Sequence, residues 1–339
     1  MDHVETVMRE LSLPETAREA VRRLAGAAGP ATVGLPAPSR TDAVLRRLGL
    51  AEVDRREMAA ARPSAERHPA LWWLLTRCHA QLVAQLGRPG PVPSWPQLPP
   101  ALGPTARYLY PWVFVATLPA VRRYHRGRGV PSELSWEILS ALGAQMAYHR
   151  AVHGQGGLHT ENWLTVHFRG AIYALGRLHI ERQRIWFDAA APGETATVGP
   201  LPGRGDHSLG LHIPAGTLPP ESVDDALARA RDFFPRHFPE EPYRFATCVS
   251  WLLDEQLTEY LPAESNILRF QRRFRLLPSS GADDSATMVQ FLFRRPLSEL
   301  GRLPRDTTLQ RAVIDHIRAG RVWTFRTGWF PLQTSTWEG

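Results

Sequence analysis

The stretch from Cys248 to Phe274, CVSWLLDEQLTEYLPAESNILRFQRRF, opens like a buried strand and closes like an arginine-rich helix. Between the two lie Asp254, Glu255, Glu259, Glu264, Ser265 and Asn266. Ligand sites in α/β folds sit where a strand hands over to a helix, so short polar side chains crowded there invite a chemical reading. Asp254 ends the strand. It can take a proton or bind a cation, and it can equally cap a helix over EQLTEYL. Ser250 and Cys248 share its strand face, because alternate residues do. Cys248 has a nucleophile's sulfur, but its apolar flanks offer no means of making a thiolate, and a small buried core residue is the expectation. Ser265 and Asn266 open a helix whose unpaired N–H groups favour an anion. Arg269 and Arg273, four residues apart, share one face of that helix, with Arg272 beside them. That face meets phosphates, an acidic protein or simply water.

His212 closes the strand LGLHIP. Imidazole titrates near neutral pH, which makes it the obvious general base; the plain alternative is a strand-end histidine bonded to a backbone carbonyl. Glu181 and Arg177 alternate along GRLHIER, where an ion pair to a neighbouring strand or contact with a substrate is expected. GRGDHS reads as a turn, and LWWLL and YLYPWVF as core. Two cysteines far apart, Cys78 and Cys248, give neither a disulfide framework nor a zinc site, and no metal-ligand set is expected.

The elements that must position these residues change character along the chain. Residues 4 to 153 read as helices: PETAREAVRRLAGA, HPALWWLLTRCHAQLVAQLG stopping at Gly87, and PSELSWEILSALGAQMAYHRAVHG capped by Ser132 and stopping at Gly154. GRPGPVPSWPQLPPALGP is too rich in proline for helix or sheet. After HGQGG the period shortens to two. AIYALGRLHIERQRIWFDA, SLGLHIP, YRFATCVSWLLD, ATMVQFLFRR and RVWTFRTGWF read as strands. PPESVDDALARARDFFPRHF, with Ser222 as cap and Asp224 and Asp225 in its first turn, reads as a helix, as do SNILRFQRRFRLL and LQRAVIDHIRAG. This predicts an α+β chain with a helical domain over residues 1–157 and a mixed sheet flanked by helices over 158–339.

Forty basic residues against 33 acidic ones give a net charge of +7, and every basic residue is arginine. The arginines are spread along the chain among acids, without a helix-turn-helix, zinc-finger or RNA-sheet signature, so nucleic acid is not an expected partner. No apolar run reaches the ~18 residues of a membrane span, and the acidic start MDHVETVMRE does not read as a signal peptide. A reduced, cytoplasmic protein that binds no membrane is expected.

ALGRLHIER, LGLHIPAGTLPPESVDDALARARDFFPRHFP and CVSWLLDEQLTEYLPAESNILRFQRRF resemble a bacterial family of two-domain acyltransferase-like proteins. Its members join a helical N-terminal acyltransferase domain to a C-terminal domain of the GNAT (N-acetyltransferase) type. The likeness covers about residues 40 to 330. It implies a GNAT-like mixed sheet and acyl transfer from a thioester to an amine by direct attack. Acyl-CoA or acetyl-CoA would be the co-substrate, with no tightly bound cofactor, or an acyl carrier protein the donor. The acceptor would be a small-molecule or peptide amine. Under that reading His212 is the base, Asp254 binds the amine or serves as base, Ser250 lies on the thiolate side, and Ser265, Asn266, Arg269 and Arg273 face the phosphates. GNAT enzymes carry an Arg/Gln-x-x-Gly-x-Gly/Ala phosphate loop. None follows ATCVSWLLD, and YHRGRG, which has Tyr124 in place of Arg or Gln, reads as a solvent turn. The alternative is a non-catalytic binding module on the same fold.

Overall fold

A computed structural model describes residues 3–29, 32–90, 94–189 and 201–332. The chain divides into two compact units, Met1–Tyr173 and Ala174–Gly339.

The first unit is helical: α1 His3–Glu10, α2 Arg18–Ala25, α3 Pro38–Arg47, α4 Glu52–Ala60, α5 Pro69–Ala84, α6 Gly103–Arg107, α7 Leu109–Gly127, α8 Ser132–Leu139, α9 Ala141–His153 and α10 Glu161–Phe168. α5 and α7 are its centre. α7 is apolar on nearly every face, as a helix buried all round must be, and Trp112, Val113, Phe114 and Val121 are fully enclosed. Between these helices the buried His79 Nδ1 meets Thr117 Oγ1 at 3.1 Å. The proline-rich loop is ordered around Trp95, whose indole N–H donates to Gln81 Oε1 at 2.7 Å. The expected single helix from 132 to 154 is two helices broken at Ser140. Ser132 is not its cap. Pro131 holds that place, and Ser132 instead accepts two hydrogen bonds from Arg122.

The second unit follows the order β1 Ile172–Leu175, β2 Leu178–Arg184, β3 His207–His212, α11 Pro220–His237, β4 Phe245–Ser250, α12 Asn266–Gln271, β5 Arg275–Leu276, α13 Ser285–Phe293, α14 Thr308–Arg318 and β6 Arg326–Pro331. The strands form one mixed sheet in the order β1-β2-β3-β4-β6-β5. β2 and β3 are antiparallel, as are β4 and β6, while β3 and β4 run parallel through the crossover helix α11. This is the expected helical half followed by a mixed sheet with flanking helices.

Several elements depart from the sequence expectation. ATMVQFLFRR is the helix α13, which buries Met288, Val289 and Phe293 on one side. A short apolar run fits both periods, and packing against α14 decides it. SNILRFQRRFRLL is helical only to Gln271 and then enters β5. RVWTFRTGWF is a strand only from Arg326. Upstream, the N–H groups of Trp323, Thr324 and Phe325 donate to Ser285 Oγ, Asp254 Oδ2 and Asp284 Oδ2, so side chains replace the ladder there. α11 starts two residues before Ser222, with Glu221 in its first turn; Ser222 Oγ donates to the Pro219 carbonyl rather than capping. Surface ion pairs such as Arg46–Asp42, Arg273–Asp224 and Arg305–Asp315 are all made by guanidinium groups.

Candidate active site

The parallel pair β3 and β4 is where the sheet opens. Their pairing runs Ser208↔Phe245, Leu209↔Ala246 and Gly210↔Thr247 and stops there, although β3 continues to His212 and β4 to Ser250. Past Gly210 and Thr247 the two strand ends therefore part at their carboxyl ends, the edge where open sheets bind ligands.

His212 stands at that opening. Its Nε2 lies 2.8 Å from Glu181 Oε2 on β2. Glu181 is buried and His212 is half-buried. The same carboxylate oxygen accepts from Gln183 Nε2 at 2.8 Å, and Gln183 Oε1 accepts from Thr247 Oγ1 at 3.4 Å. A polar row thus crosses one face of the sheet, from His212 through Glu181 and Gln183 to Thr247. Gly210 makes the crossing possible. A Cβ there would fall 2.2 Å from Gln183 Nε2, so any other residue would push the Gln183 side chain aside. An ionised carboxylate only accepts, so in this contact Nε2 of His212 is the donor. His179, opposite His212 in the strand register, is driven down to about 4 by burial and then by His212 and Arg177, and so stays neutral. Val249, on the open side of β4, is 49% exposed.

The other expected residues sit as follows. Ser250 ends β4 and its Oγ accepts from the Leu252 N–H at 3.1 Å. Cys248 faces away from the polar row and is buried, and burial pushes its thiol up to about 12, leaving no thiolate for a covalent route. Asp254 is 2% exposed and already occupied: Oδ1 accepts from Gln256 N, and Oδ2 from Gln256 Nε2, Thr324 N and Thr324 Oγ1. The expectation that it binds an amine meets a carboxylate whose acceptor sites tie β4 to the approach to β6. Ser265 Oγ accepts from Leu268 N and so caps α12, while Asn266 is exposed at its start. Arg273 pairs with Asp224 of α11 at 2.6 Å, and Arg269, exposed, lies 3.5 Å from Glu264. Among the described residues Arg177 pairs with no acid. It donates to the carbonyls of Pro214, Gly216 and Thr217 in the loop that joins β3 to α11.

That loop, IPAGTLP over 213–219, went unnoticed in the sequence. It leaves the β3 end of the opening and enters an 18-residue helix. The signal was the strand-helix-strand order around PPESVDDALARARDFF. From the sequence the phosphate loop is expected after β4, whereas the crossover leaves β3. A second constellation was also missed. His149, His153 and His159 in the first unit bring one ring nitrogen each within 4.8 Å of the others. Burial and the neighbouring rings push His149 down to about 4. Its sequence signal is the spacing in HRAVHGQGGLH. Among the described residues no helix is long and apolar enough to cross a membrane.

Comparison with known proteins bears on both units. Residues 39–170 match the N-acyltransferase N-terminal domain, and residues 172–330 match the GNAT-like C-terminal domain. Among solved structures, a tryptophan-to-alanine acyltransferase mutant in complex with octanoyl-CoA is 40% identical with a TM-score of 0.87, over 98% of this chain and 99% of that one. An acyltransferase in complex with CoA and 10C-teicoplanin is 40% identical with a TM-score of 0.86, over 98% and 100%. An acyltransferase in complex with decanoyl-CoA is 41% identical with a TM-score of 0.85, over 97% and 99%. No curated protein matches the chain. With both domains matched in order and identity near two residues in five over almost the whole length, the chain belongs to the two-domain acyltransferase family that joins an N-acyltransferase N-terminal domain to a GNAT-like C-terminal domain.

Proposed function

We propose that this acyltransferase takes a medium-length acyl group from acyl-CoA and transfers it to an amine of a glycopeptide resembling teicoplanin, by direct attack. The solved relatives carry octanoyl-CoA, decanoyl-CoA and teicoplanin, which supports donor and acceptor class. The single observation that carries the mechanism is the Glu181–His212 pair at the parting of β3 and β4.

The amine nitrogen adds to the thioester carbonyl as His212 Nδ1 takes its proton, and Glu181 stabilises the imidazolium that forms. Backbone N–H groups facing the gap between the strands polarise the carbonyl oxygen. The C–S bond then breaks. The electron pair leaves with sulfur, and the proton held by His212 passes to the thiolate, giving amide, free CoA thiol and neutral imidazole. Ser250 accepts from Leu252 and keeps its hydroxyl proton, with which it can offer a hydrogen bond toward the departing sulfur. The pyrophosphate is assigned to the loop 213–219 at the N-terminus of α11, where the helix dipole favours negative charge. Arg177 holds three carbonyls of that loop to one side. Arg273 binds the first turns of α11 to the end of α12, and Arg269, one turn earlier on the same face, adds cationic charge. Ser265 and Asn266 act by fixing where α12 starts.

The test is turnover of decanoyl-CoA with teicoplanin or its deacylated amine. Free thiol should appear one-for-one with an acceptor whose mass has grown by one acyl group as an amide. Hydroxylamine-labile ester as the only product would overturn the amine acceptor. Transfer from an acyl carrier protein, and none from acyl-CoA, would overturn the donor.

A further inference from the structure

The last turn of α9 and the loop after it gather three imidazoles that the acyl-transfer chemistry does not use. His149 and His153 are four residues apart and so share a helix face. The loop then turns back and sets His159 against both. The three ring centroids are 4.5, 5.0 and 4.9 Å apart, and the Nδ1 atoms of His149 and His159 are 2.9 Å from each other. Two ring nitrogens this close must share a proton or a cation. The other nitrogen of His149, Nε2, is buried and has no hydrogen-bond partner among the described residues.

The sequence that does this, His149-x-x-x-His153-x-x-Gly156-x-x-His159, has the spacing by which a helix and its following turn supply three histidines to zinc. A Cβ on Gly156 would fall 2.0 Å from Tyr108 Oη and 2.3 Å from Arg150 Nη2, so a larger residue would have to displace these side-chain ends where the chain passes back toward α9. Arg107 donates to Gln155 and braces the same turn. In zinc hydrolases with this spacing, the residue after the first histidine is a glutamate that acts as base. In this chain it is Arg150, and its guanidinium is held by Asp54 and Glu57. The ligand geometry is therefore present without the hydrolytic group.

We propose that His149, His153 and His159 bind one divalent late first-row cation, Zn²⁺ foremost, as a structural clip between α9 and the turn leading to α10. Zn–N bonds of about 2.0–2.1 Å in a tetrahedron set ligand nitrogens about 3.3 Å apart. His149 and His159 need only open by a few tenths of an ångström. His153, exposed at the helix end, closes the remaining distance by side-chain rotation. Water completes the shell, and imidazole donors suit zinc, nickel and copper rather than magnesium or calcium.

The experiment uses the full chain stripped with chelator and dialysed. Titration with ZnCl2 by calorimetry should show one equivalent bound, native mass spectrometry one added ion, and thermal melting a rise in midpoint. Co²⁺ should give the visible absorption of a four-coordinate site. His153→Ala changes an exposed side chain, so it should fold and lose at least tenfold in affinity, with the Co²⁺ bands gone. His159→Asn should do the same. Several weak equivalents that are indifferent to His153→Ala, or no binding by the wild-type chain, would overturn the site.

Discussion

Replacing Glu181 by Gln isolates the charge beside His212. One carboxylate oxygen accepts from both His212 Nε2 and Gln183 Nε2, so a single amide oxygen in its place can accept both bonds and leave the row standing. What disappears is the negative charge facing the imidazolium that forms as the amine loses its proton. Two unit charges about 4 Å apart at an effective dielectric of about 20 interact by about 4 kcal/mol. His212 is partly open to water, which lowers this toward the range of about 1.5–3 kcal/mol for a hydrogen bond to a charged group. At about 1.4 kcal/mol per tenfold, kcat/KM should fall by about 10–150-fold. The assay is CoA-thiol release with decanoyl-CoA and teicoplanin, alongside a melting curve that should barely move. His212→Gln should cost about 10²–10⁴-fold. Because Glu181 acts through His212, the double variant should be no slower than His212→Gln alone. Glu181→Gln turning over within twofold of wild type, or a double variant in which the two losses multiply, would refute the pair as the base assembly.

Gly210→Ala forces Gln183 aside and should cost about 3–10-fold in kcat/KM, the worth of an ordinary hydrogen bond, with little change in melting. Asp254→Asn turns an NH2 group toward donors and should cost about 1–3 kcal/mol in denaturant unfolding, while the folded enzyme keeps its turnover. Cys248→Ala should retain most activity, and an acyl adduct trapped on Cys248 would overturn direct transfer. His125, fully buried against Ser135, is held down to about 4 by burial and then by Arg122. The unfolded chain takes up that proton near 6.5, so the stability this neutral ring contributes is intact above pH ~6.5 and is lost as pH falls toward 4. The loss is about 3 kcal/mol, and equilibrium unfolding of His125→Gln should be correspondingly flatter over that window.

How much of this was legible in the sequence depends on how far apart the interacting residues are. His212 could be marked because the strand end is local, and Glu181 because it alternates with Arg177. Their pairing could not be read, because the β2–β3 register spans a long connection. The strand-helix-strand order around α11 is legible, but which two strands run parallel is a property of the whole sheet, so the sequence points to β4 for the anion loop. The apolar run of α13 carries no period of its own and so reads as a strand. The 321–325 segment reads as a strand because nothing local reveals that Ser285, Asp254 and Asp284 will claim its N–H groups. For Asp254, the cap reading came closer to what the fold does with the residue than the amine-binding one. HRAVHGQGGLH carries no cysteine and has Arg150 where the zinc hydrolases have glutamate, so its metal-ligand spacing is not legible as a known motif.

The guanidinium-only ion pairs have a chemical consequence for an enzyme that handles activated acyl groups. Lysine would serve Arg46, Arg273 or Arg305 in pairing with a neighbouring acid, and would leave an ε-amine at the surface whenever it lost its proton. Thioesters acylate such amines without any catalyst. A guanidinium stays protonated at any physiological pH and has no lone pair to offer. With 40 arginines and no lysine, the enzyme presents no side-chain amine that could compete with its acceptor or be slowly consumed by its own donor. Incubation with excess decanoyl-CoA should leave the side chains of the protein unacylated by intact-mass measurement, where a lysine-bearing protein of the same size gathers adducts.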